Sequence, residues 1–345
     1  MTARAITDLS NEQLGELVAE LGGKPFQARQ LAHWVFKHGA SSPDECRNLP
    51  GALRDKLADW GSIRSTTVDT IDHADDGTDK LLVRLADGDA VECVSIPEPD
   101  RHTLCVSTQV GCPVGCIFCA SGLEGVRRNL TAGEIVEQVL HVRERLPEGT
   151  PLTNLVVMGM GEPLLNLDNL LTALDRLHDP DGINLGARRI TVSTSGYPDQ
   201  MARFAKVPHQ YQLAVSLHAA DDELRRELVP TARASVAEIV EAATRFAETK
   251  GREVTFEVVL LAGVNDRPQD AEAMCDALAG IPCTVNLIAW NPVDSIPELR
   301  RPGRQRVDEF AEALRRGHLK VTVRRQRGAD QSAACGQLRL RHATT

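Results

Sequence analysis

The sequence lacks any long, uninterrupted run of apolar residues. Its longest runs, such as VVLLAGV at 258–264, are far shorter than the roughly 20 residues that a membrane-spanning helix needs. The first residues, MTARAITDLSNEQ, have no apolar core of the kind found in secretory signals. No segment repeats at a fixed period, and none is of low complexity. We therefore expect a globular, cytoplasmic protein without membrane association.

The cysteines do not form the pattern of a disulfide scaffold. There are nine, an odd number, in a chain of 345 residues without a secretory signal, so metal binding or catalysis is the better explanation for any cluster of thiols. Four of them are scattered among apolar neighbours, and we expect each to serve as a small buried hydrophobe: Cys46, Cys93, Cys275 and Cys283.

An excess of positive charge is also missing. The net charge is −9, which argues against a protein that simply coats nucleic acid. The charge is uneven, however, because residues 300–345 carry 12 Lys and Arg against 4 Asp and Glu. A basic tail on an acidic body is typical of a phosphate-binding face, although RRQR at 324–327 also fits an ordinary solvated surface.

The residue patterns divide the chain into four segments. Residues 1–62 are predicted to be helical, with a helix from Ser10 to Leu21 that Gly22 and Gly23 end, and another over 26–36. Residues 63–100 alternate in polarity and contain the turn signals DDGT and ADGD, which predicts an antiparallel meander. Residues 101–299 alternate strand and helix, and residues 300–345 form a C-terminal helix, strand and tail.

Strand and helix alternate about six times after residue 100. Capped helices lie between strands, for example after the Thr131–Glu134 capping box and over 234–248. Such alternation predicts an α/β fold with parallel strands, as a barrel or an open sheet, with the chemistry at the carboxyl ends of the strands. The predicted strands are 103–108, 154–158, 189–193, 212–217, 254–261, 284–290 and 320–325.

A concentration of thiols follows the first of these strands. Cys112, Cys116 and Cys119 have the spacing C-x3-C-x2-C, and Cys105 lies shortly before them. Thiolates are ligands for soft metals and iron–sulfur clusters, and three on one tight loop can hold three irons of a [4Fe–4S] cluster. The alternative is a structural zinc site with Cys105 as the fourth ligand.

With Phe118 before its last cysteine, the loop resembles the signature of the radical S-adenosylmethionine (SAM) superfamily. Within it, the chain resembles the RlmN/Cfr family of RNA adenine methyltransferases. The resemblance covers most of the chain and rests on DGTDKLLVRLADGDAVE, TLCVSTQVGC, RNLTAGEIVEQV, GMGEPL, STSG, SLHA, NLIAWNP and RGADQSAACGQL. It implies a partial (β/α)6 barrel with an N-terminal helical and meander extension.

The resemblance also implies roles for individual residues. The [4Fe–4S] cluster would be held by Cys112, Cys116 and Cys119, and its open iron would bind SAM. Cys335 would be the cysteine that is itself methylated, Cys105 a second redox-active thiol that forms a disulfide with it, and Glu92 the acid/base carboxylate. The SAM site would be lined by Gly161, Glu162, Ser193, Ser216, Leu217, His218 and Asn291.

For the reaction, the resemblance implies two SAM molecules. One methylates Cys335, and the other yields a radical that activates this methyl group for addition to an adenine ring carbon, which we expect to be carbon 2. Family substrates are an adenosine in 23S rRNA and, for some members, one in tRNA. We further expect a monomer that receives electrons from a flavodoxin or ferredoxin.

Some residues depart from the family pattern and leave the branch open. Ala329, Gln331 and Ser332 precede the tail cysteine where the family has RGDDIDAACGQL. Methylation at carbon 8, as in Cfr, is therefore an alternative. So are another radical SAM reaction, such as glycyl-radical activation, and a non-catalytic iron–sulfur RNA-binding protein.

Overall fold

A computed structural model of the chain describes residues 5–231, 233–324, 327–328 and 331–338. Ala329 and the tail residues 339–345 therefore lie outside the described residues, as do residues 325 and 326 of the basic RRQR segment. In the ranges described, no helix combines the length and the apolar character needed to cross a membrane.

One ten-stranded sheet organises the chain, in the order β1-β2-β3-β4-β7-β8-β9-β10-β11-β12, with β5 and β6 as a separate hairpin. The strands are Thr67–His73 (β1), Asp79–Arg84 (β2), Ala90–Glu98 (β3), Arg101–Cys105 (β4), Gln109–Gly111 (β5), Val126–Asn129 (β6), Asn154–Val157 (β7), Ile190–Thr194 (β8), Gln212–Ser216 (β9), Val254–Leu260 (β10), Cys283–Ala289 (β11) and Lys320–Val323 (β12). The helices are Asn11–Glu20 (α1), Pro25–Ala32 (α2), Gly51–Trp60 (α3), Ala132–Arg143 (α4), Leu167–His178 (α5), Pro198–Ala205 (α6), Asp222–Leu228 (α7), Val236–Lys250 (α8), Pro268–Ala277 (α9) and Arg304–Arg316 (α10).

The parallel part of the sheet runs from β4 through β7 to β12, with helices in most of the connections. The two end strands, β1 and β12, do not pair with each other, so the sheet forms a partial barrel. This confirms the predicted fold class. Every strand segment predicted after residue 100 is present, with ends within three residues of those expected.

The meander is part of the same sheet. Strands β1, β2 and β3 pair antiparallel, and β3 then pairs antiparallel with β4, the first barrel strand. In such ladders, partner residues point to the same face of the sheet. The inner face of the barrel therefore continues onto the meander, and its side chains share a surface with those of β4.

Local capping explains where several helices begin. Ser10 and Gln13 form a capping box at α1, and Thr131 and Glu134 form one at α4. Each pair satisfies backbone N–H groups that the first turn of a helix leaves without partners. The predicted helix over 26–36 is α2, which continues as a π-helix over His33–Lys37.

A buried carboxylate joins the N-terminal helices to the barrel. Glu137 of α4 accepts hydrogen bonds from the amides of Ser65 and Thr66, at 3.0 and 2.7 Å, and from the Thr7 hydroxyl. Burial raises the pKa of Glu137, while these hydrogen bonds oppose that rise. The carboxylate thus fixes the segments before and after the N-terminal helices on the outer layer of the barrel.

Three of the four scattered cysteines are core residues, as predicted. Cys46, Cys93 and Cys283 are buried, whereas Cys275 is only half-buried. Burial raises the pKa of Cys46 to about 11, so its thiol is protonated near neutral pH and behaves as an apolar side chain.

Candidate active site

A cavity opens at the carboxyl ends of the parallel strands, with about 980 Å³ of empty space that includes solvent at its open mouth. It is lined by ten of the residues predicted for the site: Cys112, Cys116, Cys119, Gly161, Glu162, Ser193, Ser216, His218, Asn291 and Cys335. The other three, Leu217, Cys105 and Glu92, are buried outside this lining.

The cysteine loop lies between β5 and β6, and glycines shape its entry and its path. Gly111 has φ of +77°, and a Cβ added there would lie 2.0 Å from the carbonyl oxygen of Gly125. Gly115 has φ of +66° and lies close to Gly122. A Cβ added to Gly122 would be 3.0 Å from the Cα of Gly115. Larger residues would strain these turns, and the loop would lose the shape that turns its thiols to the cavity.

The three loop thiols are half-buried, free and directed at one cavity. Burial raises the pKa of Cys112 to about 12, raises that of Cys116 well above its usual value, and raises that of Cys119. Without a bound cation the three are therefore neutral thiols. A metal centre would convert them to thiolates, and a set of three soft donors on one wall fits an iron–sulfur cluster.

The zinc alternative has a different geometry. Among the described residues, no group of three or more His, Cys, Asp or Glu side chains is arranged around a single ion. Ligands to one zinc ion converge on one point, whereas thiolates of a cluster bind different irons and stand farther apart. Cys105 lies at the end of β4, outside the cavity lining, and so does not complete a four-thiol ion site.

Glu162 is buried beside the loop and links the turns after β7 and β8. Its carboxylate accepts hydrogen bonds from the amide and the hydroxyl of Ser195, at 2.8 and 2.9 Å, while its own amide donates to Gln109 Oε1. Burial raises the pKa of Glu162, against the opposing effect of these hydrogen bonds. Gly161, with φ of +106°, comes so close to Gln109 that a Cβ would lie 2.7 Å from it.

The opposite wall comes from the ends of β8 and β9. Ser193 Oγ lies 3.4 Å from Ser216 Oγ, so two hydroxyls stand side by side on adjacent strands. His218 has φ of +63°, and its ring meets that of Phe118 edge to face, 4.7 Å between centroids. Burial lowers the pKa of His218 to about 3, so the ring is neutral, and its Nδ1 accepts the Val259 amide. Leu217 is fully buried and faces the core.

The C-terminal segment passes over the cysteine loop. The amide of Ala120 donates to the carbonyl of Gly336 at 2.8 Å, and Ser121 Oγ donates to the carbonyl of Leu338 at 2.9 Å. Asn291 Nδ2 donates to the carbonyl of Cys335 at 3.0 Å. These bonds hold Cys335 at the cavity, where its side chain is exposed to the empty space.

Cys105 is buried, and its strongest thiol neighbour in electrostatic terms is Cys335. Burial, followed by the charge of Cys335, raises the pKa of Cys105 to about 12, against the opposing effect of Arg324. Burial likewise raises the pKa of Cys335, while Arg324 lowers it. All nine cysteines are free thiols, so the disulfide implied for Cys105 and Cys335 is not a bond of this structure.

Glu92 lies in β3, two residues from Val94, the register partner of Cys105. Side chains two residues apart on a strand point to the same face, so Glu92 shares the face of Cys105. Its carboxylate is almost fully buried and lies 3.1 Å from Lys80 Nζ.

Comparison with known proteins identifies the fold around this cavity. Residues 106–277 match the radical SAM superfamily, and residues 5–63 match the ribosomal RNA large subunit methyltransferase N-terminal domain. The chain is 46% identical to the dual-specificity RNA methyltransferase RlmN of Anaeromyxobacter sp., over 96% of this chain and 90% of that protein. The chain is also 45% identical to the dual-specificity RNA methyltransferase RlmN of Halorhodospira halophila, over 96% of this chain and 92% of that protein.

The chain belongs to the RlmN family. A radical SAM methyltransferase from Sphaerobacter thermophilus has the same fold, with a TM-score of 0.93 and 45% identity over 97% of this chain and 99% of that one. The protein is therefore a radical SAM RNA methyltransferase, whose cofactors are a [4Fe–4S] cluster and SAM. Membership in the RlmN family sets aside the glycyl-radical activase and the non-catalytic RNA-binding protein.

Several lining residues of this RlmN-type cavity were not predicted as site residues, Arg324 and Trp290 among them. Arg324 follows β12 and lines the cavity, although the sequence pattern placed it in a basic surface run. Burial lowers the pKa of Arg324, but Cys335, Glu257 and Cys105 raise it on balance. Trp290, at the end of β11, donates its indole N–H to the carbonyl of Phe118 at 2.8 Å. The rule that chemistry collects at strand ends would have found both.

Proposed function

We propose that the protein methylates carbon 2 of an adenine in RNA through a methyl group carried on Cys335. The supporting observation is that Cys335 lines the same cavity as the three loop thiols. No other described cysteine combines an exposed side chain with a position on this cavity wall beyond the loop. A sulfur that must meet both a cofactor and a flipped base needs such a position.

In this proposal Cys112, Cys116 and Cys119 hold the cluster, and the walls of the cavity hold SAM. The SAM-binding residues are Gly161, Glu162, Ser193, Ser216, Leu217, His218 and Asn291, of which Leu217 is buried outside the cavity lining and would contribute only through its backbone. When bound, the two cofactors supply the methyl group and the radical that activates it.

The other residues then act on the RNA attached to Cys335. Addition of the activated methyl carbon leaves one electron too many on the ring, which the bound cluster would take back, and Glu92 accepts the proton lost from the ring carbon. The Cys105 thiolate attacks the Cys335 sulfur, an S–S bond forms, and the bond from that sulfur to the methylene carbon breaks with its electron pair. That carbon takes up a proton and becomes the new methyl group. A dithiol reductant must then restore both thiols.

We propose 23S rRNA as the substrate, with tRNA as a second one. The match of residues 5–63 to a ribosomal RNA methyltransferase domain supports the first, and the dual-specificity relatives support the second. Within the proposed division at residues 62, 100 and 299, the N-terminal helices and the basic C-terminal segment would contact the RNA backbone, which Lys and Arg neutralise. We retain the cytoplasm, a monomer, and flavodoxin or ferredoxin as electron donor in this proposal.

The mass of one peptide tests the methyl relay. Trypsin releases GADQSAACGQLR (residues 328–339), which contains Cys335 as its only cysteine. Protein produced anaerobically with iron should carry one methyl group on Cys335, and a Cys112→Ala variant should carry none. An unmodified Cys335 in protein that holds its cluster and cleaves SAM would refute the relay.

The ring position requires a second measurement. Nucleoside mass spectrometry after reaction with 23S rRNA and tRNA transcripts separates 2-methyladenosine from 8-methyladenosine. We expect the 2-methyl product from both RNAs. The 8-methyl product would place the chain with Cfr in its chemistry, and a product from rRNA alone would remove the second substrate.

A further inference from the structure

A buried lysine connects the proposed acid/base residue to the edge of the sheet. Lys80, in β2, has only 5% of its side chain exposed, which is unusual for a lysine without partners. Its ammonium lies 3.1 Å from Glu92 Oε1 and 3.3 Å from Asp72 Oδ2. The three side chains therefore form a carboxylate–ammonium–carboxylate chain.

Strand register places this chain on the inner face of the sheet. Asp72 pairs with Lys80, Lys80 with Val94, and Val94 with Cys105, so these four residues form one row across β1 to β4. Glu92 lies in the next row, on the same face. Lys80 reaches diagonally from the row of Cys105 to the carboxylate of Glu92.

The two carboxylates differ in their access to solvent. The Glu92 side chain is 1% exposed and that of Asp72 is 28% exposed. The chain thus begins at a group shielded from water and ends at one that water reaches. A base buried as Glu92 is must lose each proton it gains before the next turnover, and it needs a route for doing so.

Other titratable groups near Glu92 bear on its charge. They include Cys93, beside it in β3, and Cys105, which lies on the same face in β4. Both thiols are buried and neutral near pH 7, because burial raises their pKa values. Lys80 contacts Glu92 at ion-pair distance.

We propose that Lys80 is the positioning residue of Glu92: its ammonium holds the carboxylate ionised and oriented, and it passes the proton that Glu92 gains on to Asp72. In this transfer Lys80 gives one proton to the Asp72 carboxylate and takes one from the Glu92 carboxyl, so the lysine ends unchanged. This rests on the proposed function only in naming Glu92 as the base; the ion pair itself does not depend on it.

An infrared titration of the full-length protein tests the ion pair without using activity. The carbonyl band of protonated Glu92 is identified as the band that Glu92→Gln lacks. In Lys80→Gln we expect its midpoint to rise by about one pH unit or more, a tenfold change in proton affinity. Lys80→Arg should retain the wild-type midpoint. So should Lys320→Gln, which removes a lysine from the surface pair with Glu253. An unchanged midpoint in Lys80→Gln overturns the proposal.

Single-turnover kinetics then test the role in the reaction. With holoenzyme and RNA, we expect Lys80→Gln to slow the release of RNA from Cys335 at least about tenfold at pH 7, and higher pH to restore it, since a carboxyl of higher pKa ionises later. Lys80→Arg keeps the positive charge but cannot pass a proton on, so it should slow release severalfold, as Asp72→Asn does, whereas Lys320→Gln should stay near the wild-type rate. If Lys80→Gln shifts the infrared midpoint of Glu92 but leaves the release rate unchanged at every pH, the proposed roles of Lys80 and Glu92 in the reaction are refuted. Methylation of Cys335 would still stand, because it does not depend on them.

Asp72→Asn provides a variant that keeps the Lys80–Glu92 pair. It removes only the acceptor, so the Glu92 midpoint should not rise, yet release of RNA should slow severalfold. Unchanged release in Asp72→Asn would remove the proton route. If wild-type protein shows no methyl group on Cys335, the proposed function fails, and the infrared titration still decides whether Lys80 sets the charge of Glu92.

Discussion

The cavity receives its thiols from two sources that differ in how the chain builds them. Cys112, Cys116 and Cys119 lie in one short loop, whose glycines set its shape locally. Cys105 and Cys335 are separated by most of the chain: Cys105 is buried at the end of β4, and Cys335 is held at the cavity by the C-terminal segment. The local set is suited to holding a cofactor, and the distant pair to a step in which one thiol meets a group carried on the other.

Loss of a loop cysteine should have the largest effect. Cys116→Ala removes one of the three cluster donors, so we expect no stable cluster and no methylation of RNA or of Cys335. Iron and sulfide analysis after anaerobic reconstitution, with the visible spectrum, measures this. Cys283→Ala is the matched control, since that buried cysteine begins β11 and should leave iron content unchanged. A full cluster in Cys116→Ala would contradict the assignment of this loop.

Loss of a thiol of the distant pair should leave the cluster intact. Cys105→Ala should keep its iron and the methyl group on Cys335, but RNA should stay bound to the protein, because no thiolate releases it. We expect methylated RNA to fall by about two orders of magnitude or more. A denaturing gel that shows protein joined to labelled RNA measures this. Cys93→Ala, in the neighbouring strand β3, should turn over normally.

The difference between the loop cysteines and the distant pair also shows which parts of the site could be predicted from the sequence. Alternation of strand and helix predicted the parallel strands, because each pattern depends on neighbours within a few residues. The C-x3-C-x2-C spacing predicted three thiols on one loop for the same reason. The position of Cys335 in the same cavity as the loop thiols, by contrast, was expected only from resemblance to a family, since no local pattern encodes it.

Arg324 and Lys80 were missed for a related reason. In the sequence, Arg324 begins a basic run, and Lys80 follows Asp79 at the charged start of a strand, where side chains are usually solvated. Their burial depends on packing across the sheet: Arg324 turns into the cavity, and Lys80 lies between two carboxylates of neighbouring strands. Propensity and spacing do not contain this information, because it arises from tertiary contacts.

Removal of Arg324 should change the reactivity of Cys335 with pH. Burial raises the pKa of Cys335 and Arg324 lowers it, so Arg324→Leu should raise it further, by about one pH unit. The thiolate is the reactive form, so alkylation speeds up as pH rises through the pKa, and in Arg324→Leu this rise should come later. Iodoacetamide labelling of the 328–339 peptide measures it.

The background for that measurement should be Cys112→Ala, in which Cys335 is expected to carry no methyl group. Arg304→Leu is the control, because Arg304 is exposed on α10 and pairs only weakly with Asp308, at 3.7 Å. It should leave the labelling profile unchanged. A profile that also stays unchanged in Arg324→Leu would mean that Arg324 does not act on Cys335.

We expect the smallest effect from loss of a hydrogen bond between the cysteine loop and the C-terminal segment that carries Cys335. Ser121 Oγ donates to the carbonyl of Leu338 at 2.9 Å, and Ser121→Ala should lower the free energy of unfolding by about 1 kcal/mol, or roughly 2 °C in Tm. Thermal unfolding measures this. Ser41→Ala, whose hydroxyl bonds to Glu45 on the exposed surface, should change Tm less.

The iron content of the same variant decides whether the loop and the tail are independent. If the loop holds the cluster by its own geometry, Ser121→Ala should keep full iron, while methylation of RNA falls less than about tenfold because Cys335 is held less firmly. Lost iron would mean that the C-terminal segment helps to shape the loop. Since the loop amide of Ala120 also bonds to Gly336, the segment would then serve both the cluster and the methyl group.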